Sequence, residues 1–165
     1  MTEVRAAVED DIAELVRLRA LLFETLGGDF FNPGSADPSW RVTCAAVFKE
    51  QLAHDGTRIL VVDGTDSTDD TGGSDGLAAC VIGTTELRVP SPHLPRGRVG
   101  NVIGVVTDPA YRRRGHSRAL MRELLDWFRA YGVDRVDLHA SRESEPLYRA
   151  LGFADHPDPS LYWHP

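Results

Sequence analysis

Apolar positions recur every three to four residues at Ile12, Leu15, Val16, Leu22, Phe23 and Leu26, the signature of an amphipathic helix. The acids Glu9, Asp10 and Asp11 precede it, where negative charge opposes the helix dipole, and Gly27-Gly28 supplies the stop. A short strand over residues 3–7 comes before, and a turn-rich loop, DFFNPGSADP (29–38), comes after. A second helix is expected from Ser39 to about His54, with Trp40, Ala45, Val47, Phe48 and Leu52 as its apolar positions. The periodicity then changes: RILVV (58–62) and LAACVIGTT (77–85, continuing towards Val89) are β-branched runs of strand length.

Between those runs, residues 63–76 (DGTDSTDDTGGSDG) consist of Asp, Gly, Ser and Thr, which bury nothing and predict a flexible acidic hairpin loop. An EF-hand reading fails, because the segment lacks the register and the closing glutamate. The Pro-rich loop PSPHLPRG (90–97) leads into strand VGNVIGVVT (99–107), broken at Asp108-Pro109. From about Ser117, Leu120, Leu124, Trp127, Phe128 and Tyr131 trace a long helix that stops at Gly132. A strand at 135–140, a short helix at 144–151 and a final strand through Tyr162 complete the order β-α-α-β-β-β-α-β-α-β. With no repeat and no linker, residues 1–165 are read as one mixed α/β domain.

Composition changes this picture little. The chain has 165 residues, 42% hydrophobic and 26% charged, which excludes wholesale disorder. Its net charge of −7 argues against broad nucleic-acid binding. Five of its acids, Asp63, Asp66, Asp69, Asp70 and Asp75, fall in the 63–76 segment, which contains no Lys or Arg. Most of the net acidity therefore belongs to that insert. No apolar run is long enough for a bilayer and the N-terminus lacks signal-peptide character, so a cytoplasmic protein without membrane contact is expected. Cys44 and Cys80 have no metal spacing and are read as small buried apolar residues, with no metal site.

The chemistry concentrates at the turn between strand 99–107 and the long helix. Arg112, Arg113 and Arg114 run into Gly115, and Arg118 and Arg122 follow on the same helix start. A glycine there lets an anion approach the backbone, and the free N–H groups of the first helical turn point at it. Together they describe a diphosphate site. The turn alone is equally compatible with a solvated loop, and neither G-x-x-x-x-G-K-[ST] nor G-x-G-x-x-G is present.

The segment VVTDPAYRRRGHSRALMRELLDWF resembles the acyl-CoA-binding core of the GNAT superfamily of N-acetyltransferases. Arg112, Gly115 and Ser117 fall on the fixed positions of its [QR]-x-x-G-x-[GA] signature, with Ser117 where Gly or Ala is usual. Downstream, LHASRESEPLYRALGF (138–153) is similar to the superfamily's closing segment, with its L-Y-x-x-x-G-F. The resemblance implies an α+β fold whose mixed central sheet is splayed into a V and flanked by helices, with acetyl-CoA in the opening. It implies pyrophosphate contacts from Arg112, Arg113, Arg114, Gly115, His116, Ser117 and Arg118, largely through backbone N–H groups. Val105, Val106 and Thr107 would offer strand-like hydrogen bonds to the pantetheine arm, and Ser141 would meet the same arm. Tyr148 falls on the tyrosine that protonates or hydrogen-bonds the departing thiolate.

The reaction so implied, attack of an amine on a thioester, needs a neutral nitrogen, an oxyanion donor and help for the leaving sulfur. The backbone N–H of Val106 is the expected oxyanion donor. Reference pKa values of about 10 for tyrosine and 8.5 for a thiol make full proton transfer uphill by roughly 2 kcal/mol. Tyr148 therefore serves as a hydrogen-bond donor as much as an acid.

Many family members carry a glutamate on the strand before the loop, and VGNVIGVVT has none. Glu86 on the preceding strand is the nearest carboxylate and the expected base, with His139 and His93 as further options. Phe23, Phe30, Phe31 and Trp40 are expected to line the acceptor pocket, with Glu24, Asp29 or Asp37 attracting an amine. The acceptor is expected to be an amine of a small molecule or peptide, and two copies could pair through terminal strands. A non-catalytic acyl-CoA sensor is the alternative function.

Overall fold

The computed structural model describes residues 2–34, 37–64 and 76–165. The acidic loop expected at 63–76 lies, between residues 65 and 75, outside the described residues. Five strands, β1 (Arg5–Ala6), β2 (Thr57–Asp63), β3 (Leu77–Leu87), β4 (Arg98–Thr107) and β5 (Arg135–Leu138), form one sheet in that order. The first three pairings are antiparallel and β4–β5 is parallel, joined through helix α4 (His116–Tyr131). Helices α1 (Ile12–Leu26), α2 (Gly28–Phe31) and α3 (Trp40–Leu52) precede β2, and α5 (Glu145–Ala150) follows β5.

The unbroken apolar runs of β2 and β3 follow from burial on both faces. Ile59, Val61, Cys80, Ile82 and Val106 pack with Leu15, Leu18 and Phe48 of α1 and α3. Leu60, Val62, Val81 and Val102 face Leu120, Met121, Leu124 and Phe128 of α4. Cys80 is buried, which pushes its thiol up to about 12, and Cys44 is half-buried; both pack as apolar residues. On the α4 side, Gly83 and Gly100 let the helix approach the sheet. A Cβ at Gly83 would lie 2.6 Å from Leu124 Cδ1, and one at Gly100 would lie 2.7 Å from the Phe128 ring.

The sheet opens at β4–β5. Pairing runs from Val99 opposite Arg135 to Val102 opposite Leu138 and then ends. Residues 103–107 of β4 have no β5 partner, while Gly104–Thr107 still pair with β3. A register shift at Ile82/Gly83 leaves Ile103 as an extra residue in β4 where the strands separate. This is the expected splayed opening.

Three expectations change. The acids Glu9, Asp10 and Asp11 form a single 3₁₀ turn ahead of α1, where Asp11 accepts the Val8 N–H at 2.8 Å and an ion pair from Arg5. Residues 28–31 of the expected loop form the one-turn α2. The last strand, expected through Tyr162, does not form; residues 154–165 are irregular, so the terminal-strand pairing of two copies loses its strand. HPDPSL (156–161) places prolines at 157 and 159, which remove two ladder donors from that stretch.

Substituting Gly100→Val should destabilise the protein by about 1–3 kcal/mol, because the branched side chain must displace Phe128. A lower urea midpoint with an unchanged m-value is the expected result; an unchanged midpoint would show that α4 has room to move.

Candidate active site

The opening between β4 and β5 widens into a cleft of about 1130 Å³. Its floor is the free end of β4, including Val105, Val106 and Thr107. One end is the loop Arg112, Arg113, Gly115 and the first residues of α4, His116, Ser117 and Arg118. The opposite wall is the loop after β5, with His139, Ser141, Arg142 and Glu143, backed by Tyr148 of α5.

The loop is shaped by two left-handed residues, Arg113 (φ 64°) and Gly115 (φ 80°). Positive φ is unstrained for glycine and costs an arginine, so Arg113 stores strain at the site. Immediately after, the first turn of the 16-residue α4 has N–H groups without intrahelical partners. That end of the helix therefore carries partial positive charge next to Arg112, Arg113 and Arg118. Thr107 Oγ1 and Ser117 Oγ lie 3.0 Å apart and tie the strand end to the helix start. Ser117, the departure from the Gly/Ala pattern, thereby gains a structural role. His116 Nδ1 is 3.2 Å from Thr2 Oγ1, and burial, with the Arg114 charge, holds its pKa below the ordinary histidine value.

The turn before the loop is braced from α1. Asp108 caps it by accepting the Ala110 N–H at 2.9 Å and receives Arg17 Nη1 at 2.7 Å. Arg17 also donates to Glu14 and to the Leu77 carbonyl, so one guanidinium joins α1, β3 and the loop. The bond from Arg17 holds the Glu14 carboxyl below its ordinary value, against the burial that raises it. Nothing in the residue spacing announces this bridge, since Arg17 and Asp108 are 91 positions apart.

Tyr148 is 6% exposed, with its ring edge-on to Phe153 at 6.0 Å. Burial raises its pKa and a hydrogen bond with Ser144 opposes the rise. The hydroxyl is thus held protonated, as a hydrogen-bond donor must be. Ser141 Oγ and Ser144 Oγ are 2.7 Å apart, and the Ser141 carbonyl accepts the Glu145 N–H at 2.9 Å, which anchors the loop to α5.

Of the residues singled out from sequence, the cleft gathers Val105, Val106, Thr107, Arg112, Arg113, Gly115, His116, Ser117, Arg118, Ser141 and Tyr148, with Phe23, Phe30 and Phe31. The structure places the other expected residues elsewhere. Arg114 does not line the cleft: its side chain reaches the Ala110 carbonyl and lies over the Tyr111 ring. Trp40 packs edge-on to Phe23 outside the cleft. Glu86, the expected base, sits opposite Val99 where β4 and β5 are still paired, and its carboxylate accepts Arg88. Glu24, Asp29 and Asp37 are exposed and do not line the cleft either. Among the sequence candidates for a base, His139 lines the cleft and His93 does not. Glu143, Leu161 and Tyr162 line it without having been singled out. The sequence pattern predicts a strand through Tyr162, and no local pattern places an irregular tail against α2.

Among the described residues no three His, Cys, Asp or Glu side chains are grouped to hold a metal ion. Among them, too, no helix is long and apolar enough to cross a membrane.

Comparison with known proteins agrees with this geometry. The predicted acetyltransferase of Clostridium acetobutylicum, solved with acetyl-CoA, superposes with a TM-score of 0.79 at 18% identity, covering 98% of this chain and 96% of its own. The GCN5-related N-acetyltransferase of Ralstonia eutropha gives 0.72 at 22% identity, covering 99% of each. These likenesses establish the fold. The glucosamine 6-phosphate N-acetyltransferase of Trypanosoma brucei brucei is 36% identical over 77 residues, which are 46% of this chain and 52% of the relative. The chain thus matches about half the length of that curated relative. The family model for the acetyltransferase (GNAT) family matches residues 20–153, and the chain belongs to that family.

Proposed function

We propose that the chain transfers the acetyl group of acetyl-CoA to an amine. The observation that carries this reading is the convergence, in one cleft, of an unpaired strand edge, a cationic helix start and a buried, protonated tyrosine. The family and the name of the curated relative support an amine acceptor.

The residues fit the cofactor. The left-handed Gly115 leaves its outer side open, with nothing within 4 Å of a Cβ position, so a pyrophosphate can come close to the backbone. The first-turn N–H groups of α4, with Arg112, Arg113 and Arg118, supply the positive potential. The free edge of β4 at residues 103–107 offers backbone donors and acceptors that an extended pantetheine arm can pair as an added strand would.

Bound acetyl-CoA supplies the thioester: the amine nitrogen forms the new C–N bond, the C–S bond breaks, and CoA leaves as its thiol. The Val106 N–H is assigned to the carbonyl oxygen, where negative charge develops. Tyr148 donates a hydrogen bond to the leaving sulfur; its raised pKa makes it a weaker acid but keeps the donor in place. His139 is the candidate base in the cleft, taking the proton that the nitrogen loses, directly or through water. The Arg17–Asp108 bridge holds the turn that presents the pyrophosphate loop.

Release of free thiol from acetyl-CoA across a panel of primary amines tests the reading. Thermal stabilisation by CoA without thiol release from any amine would leave the acyl-CoA sensor instead. Tyr148→Phe is expected to lower kcat by about ten- to hundredfold while the KM for acetyl-CoA moves less than about twofold. Equal kcat in the variant would remove the hydroxyl from the chemistry. Asp108→Ala removes the cap and the bridge at once and should weaken CoA binding by about tenfold in calorimetry. Unchanged affinity would show that the loop holds its shape unaided.

A further inference from the structure

Helix α1 ends at two consecutive glycines with positive φ, Gly27 (63°) and Gly28 (77°). Other residues would be strained in both places. The reversal they permit sets up α2, which presents Phe30 and Phe31 side by side. Their rings meet edge-to-face at 4.7 Å, Phe31 stacks with Phe23 of α1 at 6.5 Å, and Phe30 meets Tyr162 of the tail at 5.0 Å. Four rings thus form a continuous run from α1 to the C-terminal segment, and all four line the cleft that holds Val105–Thr107.

These rings are not core. Phe30 is 63% exposed, Phe31 48% and Tyr162 75%. Rings of this size are ordinarily buried, and an array open towards a cleft keeps faces and edges free for a guest ring. Charge divides the same cleft. The arginines of the pyrophosphate loop lie at its other end, whereas the residues that α1, α2 and the tail contribute include no charged side chain. Arg19 of α1 lies over the Phe23 ring at 5.0 Å and is engaged with the array, which leaves the wall better suited to a guest ring than to a phosphate or the hydroxyls of a sugar.

We propose that the acceptor is a primary amine attached to an aromatic group, whose ring packs on Phe23, Phe30, Phe31 and Tyr162. The proposal rests on the acetyl-transfer reading and names its acceptor class. The apolar wall also does chemical work: desolvation disfavours an ammonium ion and so favours the neutral nitrogen that attacks. That effect lightens the demand on a base in a cleft to which β4 brings no carboxylate. In the balanced reaction the amine and acetyl-CoA give the N-acetyl amide and CoA thiol, the nitrogen's proton ending on the thiol through a base or solvent.

The test compares 2-phenylethylamine, a short peptide with N-terminal phenylalanine, n-butylamine and glucosamine 6-phosphate as acceptors in the thiol-release assay. The kcat/KM for at least one of the two phenyl-bearing amines should exceed that for both others by about tenfold. Preference for the free amine or the peptide then assigns the source. Equal or better use of n-butylamine or glucosamine 6-phosphate would overturn the proposal.

Phe30→Ala and Tyr162→Ala, both at exposed positions, should each raise the KM of the preferred phenyl amine several-fold, up to about tenfold. The KM for acetyl-CoA should move less than about twofold. An unchanged amine KM in both variants would equally overturn it. Calorimetry of 2-phenylethylamine and the phenylalanine peptide against CoA-saturated protein separates this proposal from the reading beneath it. Binding of either one, lost in Phe30→Ala, supports the aromatic site even if no amine releases thiol, in which case only the transfer reading fails. No binding of either overturns the site.

Discussion

The structure depends on a strand whose pairing stops halfway. β4 is an interior strand, bonded to β3 along its length, yet only Val99–Val102 are covered on the other side by β5. Backbone N–H and C=O groups left inside a fold are costly unless something pairs them, and an open edge is a template for another extended chain. At residues 103–107 that opening faces a cleft and not a neighbouring strand. Its requirement for an extended, hydrogen-bonding partner is the physical reason that a pantetheine arm suits the place.

Everything around the opening keeps it at one width. The glycines at 83 and 100 bring α4 down onto the paired half of the sheet, so that its N-terminus emerges at the unpaired half. The Thr107–Ser117 contact fixes the helix start to the strand end, and Arg17 with Asp108 fixes the intervening turn to α1. The same α1 carries Phe23, so the aromatic wall of the cleft and the brace of the turn before Arg112–Gly115 share one helix.

Most of the framework was legible in the sequence because its signals are local. The 3.6-residue stripe of α4, the β-branched runs of β2 and β3 and the run Arg112–Gly115 each declare themselves within a short window. What stayed hidden is long-range. The point at which β4 and β5 part follows from β5 ending at Leu138, two residues short of the expected strand, and the Arg17–Asp108 bridge joins distant segments. Glu86 was misplaced for a related reason. Its strand is the neighbour of the site strand, but antiparallel pairing carries the end of β3 away from the opening and sets Glu86 opposite Val99. Prolines at 157 and 159 were the overlooked warning against a terminal strand, and without that strand Tyr162 is left to pack on Phe30.

The charge balance of the chain reads differently once the cleft is in view. A net charge of −7 describes a protein that should repel phosphates, yet the cleft sets a helix N-terminus and three arginines at one end. Long-range repulsion falls off over roughly 10 Å in ordinary salt, whereas hydrogen bonds to a helix start act at contact. The local arrangement therefore decides what binds there. At the other end, the lining that α1, α2 and the tail contribute carries no charged side chain. One cleft thus sets a cationic and an apolar environment side by side along the free end of β4.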